Sequence, residues 1–143
     1  MGGVEWHLAR IFREHGRDIE ITTVDIAPGP EAYRAFEDAT QRFGQGMRLI
    51  AQDSSSESLK TQLDESYDAV FIDGDHSYRG VKSDWQLAQT LKPKLVGFHD
   101  IVDSDWHIQC RCCVSRLWDE IKTEHVTDER TFGVWGGIGI VRL

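Results

Sequence analysis

Hydrophobic residues recur every three or four positions in several stretches of the chain, which is the period of an amphipathic helix. Glycine, proline or a capping serine bounds most of these stretches. The predicted helices cover residues 4–15, 30–43, 55–63, 80–91 and 114–121. For the short third helix, either Ser55 or Ser56 is a suitable N-cap.

Between the helices lie short segments rich in β-branched and aromatic residues. They predict strands at residues 18–25, 47–51, 67–73, 95–98 and 137–143. The apolar run at 69–72 contains no polar residue, which is typical of a strand buried on both faces. Strands that alternate with helices pair in parallel through right-handed crossovers, so the pattern predicts a mostly parallel α/β sheet with helices on both faces.

Length and charge narrow the class of protein. The 143 residues contain no repeat or linker, so we expect a single domain over residues 1–143. No apolar run approaches the roughly 20 residues that span a bilayer, and no export signal is visible, so we expect a cytoplasmic protein without a membrane partner. The formal net charge of −8 disfavours nucleic acid as a partner, although a local basic patch could override that average.

Three cysteines lie close together at Cys110, Cys112 and Cys113. Their odd number argues against a disulfide framework. A zinc site that combines them with His107 is conceivable because zinc accepts thiolate and imidazole ligands. The spacing lacks the usual second pair of ligands, so reduced thiols are the simpler interpretation.

Acidic and histidine side chains follow the predicted strands at the points where those strands end. They are Asp25, Asp53, Asp73 with Asp75 and His76, and His99 with Asp100. Ligands of parallel sheets bind beyond the carboxyl ends of the strands. The sequence therefore predicts a functional site at this edge of the sheet.

Each strand end has a functional and a structural interpretation. Asp25 could accept hydrogen bonds from the two hydroxyls of a ribose, or it could cap a turn. Asp53 with Ser54 could contact a base edge or cap the next helix. After the strand at 67–73, the carboxylates could bind a divalent cation, and His76, with an ordinary pKa of about 6.5, could accept a proton from a nucleophile. A solvated turn with a capping aspartate is the alternative there.

Four short motifs surround these residues: Phe-Ile-Asp-Gly-Asp-His-Ser-Tyr at 71–78, Asp-Trp at 84–85, Leu-Lys-Pro at 91–93 and Phe-His-Asp-Ile at 98–101. In this order they resemble the class I S-adenosylmethionine-dependent methyltransferases of the small-molecule O-methyltransferase group. The resemblance is closest over residues 19–101. It implies a three-layer Rossmann-like methyltransferase fold, and methyl transfer from S-adenosylmethionine to an oxygen of a small-molecule acceptor.

The resemblance also implies roles for the matching residues. Asp25 would hold the cofactor ribose, and Asp53 with Ser54 would lie near the adenine. Asp73 matches an aspartate that contacts the cofactor and, in metal-dependent members, binds Mg²⁺ or another divalent cation. His99 and Asp100 occupy the place of the remaining cation ligands, with Asp100 the stronger because a hard cation prefers oxygen. His76 would act as the catalytic base together with Asp73. In the alternative route, the metal would polarise the hydroxyl of the acceptor.

The start of the chain departs from the family pattern. A first strand and a glycine-rich loop normally precede the first helix, whereas this sequence begins at Gly2 and Gly3, which we expect to form half of the loop beside the cofactor. With the first strand missing, unpaired strand edges would favour a homo-oligomer.

Two other functions remain open from the sequence. One is a shortened domain that acts as a non-catalytic nucleotide-binding or interaction module, and the other is a hydroxylase-like relative that carries the Asp-Gly-Asp-His motif. A nicotinamide-dependent reductase is disfavoured because no G-x-G-x-x-G motif follows a strand.

Overall fold

A computed structural model describes residues 3–43, 46–133 and 135–143. The chain divides into two compact units, Met1–Leu63 and Asp64–Leu143. Within the described ranges, no helix is long and apolar enough to cross a membrane.

The first unit contains one pair of parallel strands and three helices. Its elements are α1 (Gly3–Glu14), β1 (Ile21–Asp25), α2 (Pro30–Phe43), β2 (Met47–Ala51) and α3 (Glu57–Lys60). In the strand pair Asp25 lies opposite Ala51, so both strands end at the same edge. The inward face of α2 buries Ala32, Phe36 and Ala39, whose spacing of three and four places them on one side of the helix.

The second unit is a four-stranded sheet with three helices. Its elements are β3 (Ala69–Ile72), α4 (Tyr78–Thr90), β4 (Leu95–His99), α5 (Asp105–Gln109), α6 (Val114–Ile121), β5 (Val126–Phe132) and β6 (Trp135–Arg142). The strand order is β3-β4-β6-β5. β3 and β4 are parallel, whereas β6 runs antiparallel to both β4 and β5.

Tight aromatic packing supports the sheet of the second unit. The Phe98 and Trp118 rings lie 5.7 Å apart between centroids, and both side chains are fully buried. Gly139 lies directly beneath Trp118, where an added Cβ would come within 2.6 Å of the indole. The indole Nε1 also donates a hydrogen bond of 2.6 Å to Glu129 Oε1. These contacts fix α6 against the strands and hold β4 in place.

Most elements predicted from the sequence are confirmed. The helices at 30–43 and 114–121 and the strand at 47–51 have the predicted bounds, and the helix at 4–15 is displaced by one residue. The helix at 80–91 begins two residues earlier, at Tyr78, and the strand at 95–98 extends to His99. The helix at 55–63 is shorter and spans Glu57–Lys60. Parallel pairing is confirmed for β1 with β2 and for β3 with β4. The single domain remains a prediction.

Burial of the 69–72 strand on both faces is a wrong expectation. Ile72 joins the core formed with α4 and α6, but Phe71 points to the opposite face and is 42% exposed. Side chains of a strand alternate between faces, so an apolar run shows only that both faces tolerate apolar groups. Two elements, β5 and α5, were not predicted from the hydrophobic pattern of the sequence.

Candidate functional site

Four side chains converge beyond the carboxyl ends of β3 and β4: Asp73, His76, His99 and Asp100. The register places Ile72 beside Phe98, so the residues that follow lie side by side. Asp73 Oδ1 is 3.2 Å from His99 Nδ1 and 3.3 Å from His76 Nε2. We call these four residues the Asp-His cluster.

A tight turn brings His76 back over the end of β3. The Asp75 carboxylate accepts hydrogen bonds of 2.9 Å from both the backbone N–H and the hydroxyl of Ser77. The Ser77 hydroxyl in turn caps α4 by accepting from the Gly80 N–H at 3.1 Å. A Cβ at Gly80 would lie 2.4 Å from the Asp75 carboxyl group. Asp75 therefore shapes the turn, and His76 is the residue that it presents to the site.

Asp100 is held in an unusual backbone conformation. Its φ angle is 60°, in the left-handed region that few non-glycine residues adopt. Its N–H donates to the Gly137 carbonyl at 2.9 Å, and the Val102 N–H donates to the Gly136 carbonyl at 2.6 Å. Because a Cβ on Gly136 would lie 1.9 Å from Asp100 Oδ1, a glycine there is needed for the carboxylate to occupy its position.

The Asp100 carboxylate contacts three histidines. Oδ1 lies 3.2 Å from His99 Nδ1, and Oδ2 lies 3.3 Å from His76 Nδ1 and 3.1 Å from His107 Nε2. Asp100 and His107 are both buried, with relative exposures of 6% and 2%. The carboxylate therefore lies among three imidazole rings and is largely shielded from solvent.

Ser104 determines which nitrogen of His107 carries the proton. The Ser104 backbone N–H donates to His107 Nδ1 at 3.1 Å, as part of the capping box at the start of α5. A nitrogen that accepts a hydrogen bond carries no proton, so the proton of the neutral ring is on Nε2. That N–H is directed at Asp100 Oδ2.

The surroundings of His76 and of Cys112 raise the pKa of each side chain. The hydrogen bond to Asp73, together with the charges of Asp100, Asp73 and Asp75, raises the pKa of His76 above its usual value, and partial burial only partly opposes this. Burial raises the pKa of the Cys112 thiol, and the nearby charges of Asp100 and Asp103 add to the effect. His76 is thus suited to hold a proton, and Cys112 is a neutral thiol at neutral pH.

His99 provides a test of whether the cluster suits a cation. Its Nδ1 is buried and, among the described residues, has no hydrogen-bond partner of suitable geometry, although two carboxylate oxygens lie 3.2 Å away. A buried polar atom without a partner is costly. Asp73, His76 and His99 each offer a ligand atom, all within 4.8 Å of one another, and His76, Asp100 and Cys112 form a second such group. The residues present therefore fit a divalent cation.

The first unit contains the other predicted site residues. Asp25 Oδ1 accepts from the Ala27 N–H at 2.9 Å, and Asp53 Oδ1 accepts from the N–H and hydroxyl of Ser55 at 2.8 and 2.7 Å. Both aspartates therefore cap turns at the same edge of the β1–β2 pair, and these bonds use only one oxygen of each carboxylate. Ser54 lies within the second turn.

The two glycines at the start of the chain were expected to form half of the loop beside the cofactor. Gly3 is instead the first residue of α1, and Gly2 lies outside the described residues.

The contact of His107 with Asp100 was not predicted from the sequence. The sequence pattern links His107 only to a zinc site with the cysteines. Among the described residues, the groups able to hold a metal include Cys112 but neither Cys110 nor Cys113. A serine three residues before the histidine is a helix-start signal that could have located α5 and placed His107 inside it.

The sequence matches the family described as a methyltransferase domain over residues 2–101. This range covers most of the chain and includes every candidate residue at the strand ends. The protein belongs to the methyltransferase-domain family. No protein of curated function matches it.

Solved structures share the fold of this methyltransferase-domain protein at low sequence identity. An O-methyltransferase from Bacillus cereus in complex with S-adenosylhomocysteine is 18% identical, with a TM-score of 0.61 over 97% of this chain and 68% of that one. A candidate caffeoyl-CoA O-methyltransferase from Staphylococcus aureus is 18% identical, with a TM-score of 0.60 over 88% of this chain and 66% of that one. An rRNA methylase from Streptococcus thermophilus is 10% identical, with a TM-score of 0.58 over 99% and 80% of the two chains.

These similarities confirm the predicted Rossmann-like methyltransferase fold. The chain spans about two thirds of the length of the two O-methyltransferases.

Proposed function

We propose that the protein transfers a methyl group from S-adenosylmethionine to an oxygen of a small-molecule acceptor. The observation that carries the proposal is the convergence of the Asp-His cluster beyond two parallel strands, where α/β sheets bind their ligands. Membership of the methyltransferase-domain family supports the reaction type. The structural likeness to two proteins named as O-methyltransferases, one with bound S-adenosylhomocysteine, supports the cofactor and the oxygen acceptor.

Asp25 and Asp53 are the proposed contacts to the nucleoside part of the cofactor. The carboxylate oxygen of Asp25 that does not cap the turn can accept a hydrogen bond from a ribose hydroxyl, as carboxylates do in nucleotide-binding sheets. The Asp53 carboxylate and Ser54 are proposed to lie near the adenine. Gly2, Gly3 and Asp73 complete the proposed cofactor contacts.

A hydroxyl acceptor must lose its proton as the new carbon–oxygen bond forms, and His76 is the proposed base. Its Nε2 lies 3.3 Å from Asp73 Oδ1, and its Nδ1 lies 3.3 Å from Asp100 Oδ2. Both carboxylates stabilise the imidazolium that forms when His76 takes the proton. The remaining contribution of the protein is to hold the oxygen in line with the methyl group.

A divalent cation at the same cluster would supply a second route to the nucleophile. A bound cation lowers the pKa of a coordinated hydroxyl and makes the oxygen more nucleophilic. Asp73, His99 and Asp100 are the ligands expected from the sequence. The chain's part in this route is to place those donors beside the acceptor.

A small molecule is the proposed acceptor rather than nucleic acid. The net charge of −8 opposes a phosphate backbone, and the rRNA methylase at 10% identity shows a shared fold only. A homo-oligomer and a cytoplasmic location remain predictions.

Transfer of labelled methyl groups to hydroxylated small molecules tests the proposal. The wild-type protein is incubated with methyl-labelled S-adenosylmethionine and a panel of catechols, phenols and sugars, and the products are separated by chromatography. We expect label in at least one hydroxylated acceptor, and H76Q should lose most of that transfer. Cofactor binding without label in any acceptor would instead support a non-catalytic nucleotide-binding module.

A further inference from the structure

We infer that two copies of this chain associate through the outer edge of β2, the side that does not pair with β1, and the adjoining flank of α2. In this assembly β2 of one copy pairs antiparallel with β2 of the other. The surface lies entirely within the first unit. The inference concerns assembly and does not depend on the proposed methyl transfer.

The outer edge of β2 is available for pairing. β1 and β2 form a two-stranded sheet, so within the described ranges β2 has a strand partner on one side only. An unpaired strand edge presents backbone N–H and C=O groups that can pair with another chain. A charged side chain often protects such an edge. Here the Arg48 guanidinium donates to Thr22 Oγ1 of β1 at 3.3 Å, and this contact draws it toward β1 rather than across the outer edge.

An open apolar groove of about 340 Å³ lies beside the same strand. Phe36 of α2 and Met47 and Leu49 of β2 line it. Met47 and Leu49 are alternate residues of the strand, so they lie on the same face of the pair. Tyr33, on the flank of α2, also lines the groove and is 47% exposed. A second strand and its helix would remove this apolar surface from water while they pair with the open edge.

Two opposite charges on the same flank of α2 indicate that the occupant is a second copy. Arg34 and Glu37 are exposed and three positions apart, so they are neighbours on the helix surface. Within the described ranges neither has an ion-pair partner. A twofold axis reverses the direction of the facing helix, so Arg34 of one copy meets Glu37 of the other, and the pair occurs twice. The chain therefore carries both halves of a self-complementary contact.

The strand contact and the helix contact are compatible with one twofold axis. α2 packs against β2 within each copy. Antiparallel pairing about an axis perpendicular to the sheet keeps both α2 helices on the same face, side by side and running in opposite directions. The result is a continuous four-stranded sheet in which Tyr33 of each copy covers the groove of the other.

Sedimentation equilibrium of the full chain over a dilution series tests the inference. We expect a reversible change from dimer to monomer as the protein is diluted. R34E and E37R should each weaken dimerisation by about tenfold or more, because every altered pair occurs twice and becomes repulsive. The double variant R34E/E37R should recover most of the lost affinity, since it exchanges the two charges between the copies.

R42E is the matched control on the same helix. Arg42 pairs with Asp38 at 2.7 Å on the opposite flank of α2, so its reversal should leave dimerisation unchanged. A monomer at every concentration would overturn the inference. A folded R34E/E37R variant that dimerises no better than the single variants would also overturn it.

Amide hydrogen exchange locates the strand contact without a variant. Those amides of residues 47–51 that do not bond to β1 should exchange more slowly in the dimer than in the diluted monomer. The amides of residues 69–72, in the second unit, are the internal control and should not change. Dimerisation with unchanged exchange throughout residues 47–51 would place the interface elsewhere and would contradict the inference.

Discussion

His107 Nε2 lies 3.1 Å from Asp100 Oδ2, and both side chains are buried. Ser104 fixes the proton of His107 on that nitrogen, so the contact is a donor facing a carboxylate and not two acceptors facing each other. His107 touches none of the proposed reacting atoms. It is a positioning residue whose effect on the site passes through Asp100.

Replacement of His107 should therefore destabilise the protein according to whether the donor is kept. H107A leaves the buried Asp100 carboxylate without this donor, and we expect the free energy of unfolding to fall by about 1–3 kcal/mol or more. H107Q can place an amide N–H near the position of Nε2, so it should recover part of the loss. Urea unfolding of the two variants measures the difference, and equal losses would show that ring packing, not the hydrogen bond, is what matters.

Gly136 should be intolerant of a methyl group, and Gly133 is the matched control. Both have positive φ angles, 44° and 65°, so alanine at either site adopts a left-handed conformation at a cost of about 1–2 kcal/mol. A Cβ at Gly136 would also lie 1.9 Å from Asp100 Oδ1, whereas at Gly133 it would meet nothing within 4 Å. We expect G136A to lower the free energy of unfolding by about 1–3 kcal/mol more than G133A does. Equal destabilisation would mean that the Asp100 carboxylate moves aside without cost.

The raised pKa of His76 predicts a pH dependence in the metal-free protein. A histidine with a higher pKa in the folded state stabilises the fold fully below its unfolded pKa of about 6.5, and this stabilisation is lost as the pH rises through the folded value. Titration followed by NMR should therefore place the His76 pKa above that of an unfolded peptide. Because the hydrogen bond to Asp73 is the largest cause, D73N should lower it. An unchanged pKa in D73N would remove Asp73 as the cause.

The cysteines should differ in their reactivity. Burial raises the pKa of the Cys112 thiol and so reduces its thiolate fraction at neutral pH, whereas Cys110 is exposed. Iodoacetamide should therefore modify Cys110 first, as peptide mass spectrometry over time would show. Raising the pH should speed the reaction of Cys112. Faster alkylation of Cys112 at neutral pH would contradict its assignment as a half-buried, protonated thiol.

The sequence was sufficient to predict the convergence of Asp73 and His99, because parallel strands end at a common edge and each residue directly follows an apolar run. It was not sufficient to predict the contact of His107 with Asp100. That contact depends on the left-handed turn at Asp100, which Gly136 and Gly137 of a distant strand make possible. No local pattern contains this information.

The strand β5 was not predicted from the sequence for a related reason. Its central residues, Asp128, Glu129 and Arg130, are polar and exposed, so they show no alternation of polar and apolar positions. The strand forms because β6 supplies antiparallel partners along its length.

The functions of Asp25 and Asp53 were also not separable from the sequence, since a capping aspartate and a ribose-binding aspartate occupy the same position at a strand end.

Calorimetric titration with S-adenosylhomocysteine tests the central claim most directly, because it measures cofactor binding without an acceptor or a metal. Saturable binding by the wild-type protein is the expected result. D25A should weaken that binding by about 1.5–3 kcal/mol, or roughly ten- to a hundredfold or more, as expected for hydrogen bonds to a charged group. The exposed Asp18 supplies the control, D18A, which should bind as the wild type does. Absence of binding by the folded wild-type protein, or identical affinities of the wild type and a folded D25A, would contradict the account.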